Sequence, residues 1–164
     1  MSKENDNNAR REWRRKIKTF IGWAIGIGIV GWIAYLVVTA ERLPPSEFEA
    51  TTGIHYHPRL VIKQNGENLI IPNNIGLGVT HNPIHTHEDG DGTIHLEFEG
   101  KVRRDDIQLG KFFTVWGKEW TATSFMGMPL GDGHTLTMTV NGVSSVEYGS
   151  YVMHDKDLIE PDYR

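Results

Sequence analysis

Apolar residues divide the chain into two unlike regions. From Thr19 to Ala40, twenty-two residues pass without a charge, among them Ile21, Trp23, Ile25, Ile27, Ile29, Val30, Trp32, Ile33, Leu36, Val37 and Val38. As one helix this run spans roughly 30 Å, the thickness of a bilayer's hydrocarbon core. After Gly53 the pattern changes to short alternating runs bounded by turn residues, which is the signature of strands.

His57 to Lys63 reads as a strand, Asn65-Gly66 as a hairpin turn, and Asn68 to Ile71 as the returning strand, stopped by Pro72. Ile84 to His87 and Thr93 to Phe98 flank an Asp/Gly-rich turn at 88–92. Thr135 to Val140 alternates cleanly and ends in Asn141-Gly142, and Ser145 to Val152 and Leu158 to Tyr163 complete the set. One short helix is expected over Leu109–Trp116, entered through a turn that Asp105 or Asp106 could cap. The expected fold is therefore a mainly β, mostly antiparallel ectodomain with one short helix, behind a single N-terminal transmembrane helix. The closing Asp155-x-Asp157-x-Ile159 resembles a β-grasp-like ending.

Charge orients this arrangement. Residues 1–18 carry seven Lys/Arg against three Asp/Glu, whereas 41–164 carry ten against eighteen. A basic arm before an apolar span predicts a cytoplasmic N-terminus and a C-terminal domain outside the cytoplasmic membrane, periplasmic or extracellular. The expected organisation is a basic arm at 1–18, the transmembrane helix at 19–40, a linker at 41–52 stiffened by Pro44-Pro45, and the folded domain at 53–164. A cleaved signal peptide ending at Val38-Thr39-Ala40 is the alternative, but its apolar core would be unusually long. Arg10-Arg11 resembles a twin-arginine signal only loosely. Gly22-x-x-x-Gly26 and Ala24-x-x-x-Gly28 could permit helix pairing, so a homodimer or a protein partner stays open beside the membrane itself. With the net basic charge confined to the arm and no basic–aromatic stripe, no nucleic-acid partner is expected.

The chain has no cysteine and eight histidines. That excludes disulfides, thiolate metal sites and cysteine catalysis, and leaves imidazole chemistry open. All the histidines lie beyond residue 54, six of them between His55 and His95. His55-x-His57 and His85-x-His87 each place two rings on one strand face, because side chains repeat every two residues. His95 returns on the facing strand and could complete a three-histidine site. The candidate metal ligands are thus His55, His57, His85, His87 and His95, and Glu97 could orient a ring or act on bound water. Copper is preferred and zinc is the alternative. Imidazole suits both, and the thioethers of Met126, Met128, Met138 and Met153 would favour Cu(I) unless they merely fill the core.

Several blocks look familiar as a set: His55-Tyr56-His57-Pro58, Ile71-Pro72-Asn73-Asn74-Ile75-Gly76, Ile84-His85-Thr86-His87, Gly92-Thr93-Ile94-His95-Leu96-Glu97, Leu109-Gly110-Lys111-Phe112-Phe113-Thr114-Val115-Trp116-Gly117, Val140-Asn141-Gly142 and Asp155-x-Asp157-x-Ile159. Together they are similar to a largely uncharacterised family of small secreted or membrane-anchored prokaryotic domains with HxH, HTH, IHxE and LGxFFxxWG blocks. The resemblance covers roughly residues 53–163 and implies no particular activity. The functional expectation is a non-catalytic, membrane-anchored metal-binding domain. Two alternatives remain: a small cupin-like metalloenzyme in which His134 joins His85 and His87, and a structural or interaction module whose histidines are not ligands.

Overall fold

A computed structural model describes residues 3–39, 44–88 and 90–164. The chain divides into two units, Met1–Leu43 and Pro44–Arg164. Ala40, the last residue of the expected transmembrane helix, residues 41–43 of the expected linker, and Asp89 lie outside the described residues.

In the first unit a single helix, α1, runs from Lys3 to Thr39. Its stretch Arg11–Thr39 is long and apolar enough to cross a membrane. The basic arm is continuous with this helix rather than separate from it. Lys, Arg, Glu and Ala lose little side-chain freedom in a helix, and no proline or glycine interrupts the arm. Thr19 and Thr39 each donate their hydroxyl to the carbonyl four residues back, Arg15 and Tyr35, at 3.0 and 2.7 Å. Such bonds keep a hydroxyl satisfied where no water is available.

The second unit is rich in short strands: β1 Phe48–Ala50, β2 Ile54–Tyr56, β3 Arg59–Leu60, β4 Lys63–Gln64, β5 Glu67–Asn68, β6 Ile84–His85, β7 His95–Phe98 and β8 Val102–Arg103. The helix α2, Leu109–Trp116, follows, and then β9 Ser124–Phe125, β10 Met128–Pro129, β11 Leu136–Val140, β12 Val143–Ser144 and β13 Leu158–Tyr163. The largest sheet has the order β12-β11-β13-β4-β5, with β3 also on β13. A three-stranded sheet has the order β2-β7-β6, and β1-β8 and β9-β10 form two small ribbons.

Pairing is mostly antiparallel, as expected, but β3 and β4 run parallel to β13. The stretch read as one strand over His57–Lys63 is split, beginning after Pro58, which has no N–H to give. Between the pieces Val61 N–H still donates to Ile159 O at 2.9 Å. The returning strand is shorter than expected, with Ile70 exposed outside it. Asn65-Gly66 and Asn141-Gly142 do turn hairpins, with positive φ at all four residues. Phe48–Ala50, read as part of a tether, instead pairs with β8.

The strand expected over Ser145–Val152 does not form. A 3₁₀ turn occupies Tyr148–Ser150. Ser145 Oγ accepts from Glu147 N–H at 3.3 Å, and Ser150 Oγ donates to Glu147 O at 2.6 Å. These local bonds compete with a ladder and win. The turn packs on α2, where a Cβ at Gly110 would sit 2.9 Å from Gly149 O.

The core gathers Leu60, Ile62, Ile94, Leu96, Ile107, Leu109, Phe112, Phe113, Phe125, Met138, Met153 and Ile159, all fully buried. Asp106 Oδ2 accepts Arg103 N–H at 3.2 Å and so caps the 3₁₀ turn Arg104–Ile107 that leads into α2. Trp120 stands edge-on to Phe113 and Phe125, with centroids 4.8 and 4.7 Å away, and so joins α2 to β9 through an aromatic cluster.

Candidate metal centre

The three-stranded sheet builds the site by alternation and register. In β7 and the residue before it, Ile94 and Leu96 are fully buried while His95 and Glu97 point to the other face. His85 of β6 pairs directly with His95, and His55 of β2 pairs with Glu97. The next pair in the β2–β7 register sets His57 opposite His95, one residue past the end of β2. His57, His95 and His85 therefore form a row across three strands, flanked by His55 with Glu97 on one side and His87 on the other.

Ring positions follow that plan. Centroid separations are 4.6 Å for His55–His57, 4.8 Å for His57–His95, 5.4 Å for His95–His85, 4.4 Å for His95–His87 and 4.8 Å for His85–His87. All five expected ligands are thus brought together. Two trios can be drawn, His55 with His57 and His95, and His85 with His87 and His95, each with its ligating atoms within 4.8 Å of one another.

His85 is 2% exposed and its orientation is fixed. Its Nδ1 lies 2.9 Å from Asn82 O, and a carbonyl can only accept, so Nδ1 carries the proton. Nε2 is left with its lone pair, 3.2 Å from His87 Nε2. A metal-ligating histidine usually donates its other N–H in this way. Burial pushes His85 below the ordinary imidazole value of 6.5, and the rings of His87 and His81 add to that against the Asn82 carbonyl and Glu97.

The loop that supports β6 explains another block. Asn82 N–H donates to Gly76 O, Thr86 N–H to Ile75 O, and Thr86 Oγ1 both accepts from Ile75 N–H and donates to Pro72 O. Gly76 has φ 75°, and a Cβ there would run into Ile84 O. Carboxylates stand at the exposed end of the cluster. Glu97 Oε1 lies 3.1 Å from His55 Nε2 and 3.9 Å from His95 Nδ1. Asp155 Oδ1 accepts the His57 N–H at 2.9 Å and lies 3.6 Å from His57 Nδ1. That backbone bond holds the Asp155 carboxyl below its usual range.

Sequence reasoning missed Asn82 and Asp155, and left His81, whose ring is 6.1 Å from His85, without a place. Asn82-Pro83 resembles an ordinary turn, and only the fold shows its carbonyl aimed at a ring. The methionines take the core-filling role: Met138 and Met153 are fully buried in the core, and Met126 and Met128 pack against it. His134 stacks on Tyr163 at 5.6 Å, and neither trio contains it. Comparison with protein families, curated proteins and solved structures gives no match for the chain.

Proposed function

We propose that the protein is a membrane-anchored metal-binding protein that holds copper or zinc on the histidine face of its three-stranded sheet. One observation carries the reading. The Nε2 atoms of His85 and His87 are 3.2 Å apart with His95 alongside, and two nitrogens at metal-bond length from a tetrahedral ion stand about 3.3 Å apart. With the methionines in the core, the donors are imidazole and carboxylate, which suit Zn(II) and Cu(II). The acidic balance after residue 41 favours cation capture. The basic arm argues that α1 spans the membrane with its N-terminus in the cytoplasm and the metal domain outside.

Four of the blocks that carry the family resemblance, those at 55–58, 71–76, 84–87 and 92–97, build or support this face, and we read the metal site as what that family shares. The cupin-like alternative expects His134 beside His85 and His87, and the trio that holds those two contains His95 instead. The structural alternative keeps one supporting fact, because a neutral His87 can simply donate Nε2–H to His85.

Titration of the full chain in detergent micelles with Zn(II) and Cu(II) separates the readings. Submicromolar uptake, reduced in His85→Ala/His87→Ala with far-UV circular dichroism retained, is the expected result. No uptake at micromolar metal, or unfolding of the variant irrespective of metal, assigns the histidines to structure instead.

A further inference from the structure

We propose that the cluster holds two ions rather than one, bridged by His95; the inference rests on the metal-binding reading above. The two trios share His95 alone. An imidazole carries its nitrogens on different edges, and both cannot bind one ion. His95 Nδ1 faces Glu97 Oε1 at 3.9 Å, and that oxygen lies 3.1 Å from His55 Nε2. Nδ1 therefore serves the trio with His55 and His57, which leaves Nε2 for the trio with His85 and His87. The ring is edge-on to both His57 and His87, with interplanar angles of 90° and 79°. It stands between the two pairs.

Five imidazoles exceed the four positions of a tetrahedral ion, whereas two ions use every ring. The pair is asymmetric. The outer ion receives His55, His57 and His95, and the Glu97 carboxylate, 3.1 Å from His55 Nε2 and 3.9 Å from His95 Nδ1, stands by for its fourth position. The inner ion receives His85, His87 and His95, and keeps one position for water or an exogenous ligand. Binding at both nitrogens of His95 sends its remaining ring proton to solvent, so the bridge is an imidazolate. Its negative charge, with Glu97 and Asp155 beside the outer ion, offsets much of the charge of two divalent cations.

Elemental analysis of the full chain in detergent, loaded with Zn(II) and then gel-filtered, is expected to give two ions per chain. His55→Ala/His57→Ala and His85→Ala/His87→Ala are each expected to give one. Glu97→Gln, which keeps the side chain's shape, should weaken the outer ion alone by about 10–100-fold. With Cu(II), an imidazolate bridge couples the two spins, so the electron paramagnetic resonance intensity should fall well below the copper content. Full intensity per ion should return in His55→Ala/His57→Ala. A single ion in the unmutated chain overturns the two-ion inference and leaves the metal-binding reading intact, whereas no ion overturns both. Two ions with full, uncoupled intensity overturn the bridge.

Discussion

At the scale of single residues, the fold invests its buried polar chemistry in two places. Asp157, 7% exposed, accepts Asn141 Nδ2–H at 2.9 Å, Tyr151 O–H at 2.7 Å and His154 N–H at 2.9 Å. Burial, with this carboxylate next, raises the Tyr151 hydroxyl above its ordinary value. Asp157→Ala would strand these donors, and a loss of about 2–4 kcal/mol in a urea titration is expected. His85 is the other place. The folded chain disfavours its proton while the unfolded chain binds it near pH 6.5. Its contribution is therefore complete above that pH and is lost as the pH falls toward the lower folded value. Thermal unfolding of the metal-free protein should show a lower midpoint near pH 5 than near pH 7.5, by a margin that shrinks in His85→Gln. An unchanged margin would show that His85 is not the group responsible.

At the scale of elements, Gly76 ties the loop before β6 to the site. Alanine there meets both the positive φ and the carbonyl of Ile84, so Gly76→Ala should cost more than about 1 kcal/mol. It should also weaken metal uptake, because the loop holds Asn82 and through it the His85 ring; normal stability and uptake together would contradict this. The elements also show what was readable beforehand. The Asn-Gly hairpins, α2, β11 and β13 follow from local chemistry and were legible. The strand ending at His85 was shorter than its alternation suggested, and His87 joins the cluster through the loop that follows. The histidine types and spacing pointed to these five residues, but not to how they meet. That depends on the register of β7, which pairs His95 with His85 and Glu97 with His55. No local pattern could settle that parity across the turn at 88–92. The parallel pairing of β3 and β4 with β13 joins residues about a hundred positions apart, a distance at which local sequence carries no signal.

At the scale of the whole molecule, α1 and the strand-rich unit have opposite solvent demands. Trp23, Ile27, Ile29, Val30 and Val38 are exposed on α1, a surface that lipid would cover. The chain is expected to stay in the membrane pellet after alkaline carbonate extraction. Ile29→Asp/Ile33→Asp should release it, since each aspartate costs about 2.5–3.5 kcal/mol at the centre of a span. Release of the unmutated chain would argue against an anchor.

The position of β13 has a further consequence, for timing. It is the last strand in chain order, yet it lies between β11 and the β3–β4 stretch. Three residues before it stands Asp155, which fastens the His57 backbone. During synthesis β2, β6 and β7 emerge long before the strand that completes the large sheet. The histidine-bearing segments therefore pass through a period in which they are exposed but not yet locked in place. An ion met early would find a loose cluster, whereas one met after release would find a finished site. For the proposed metal site, delivery that waits until β13 has paired would guard against mismetallation.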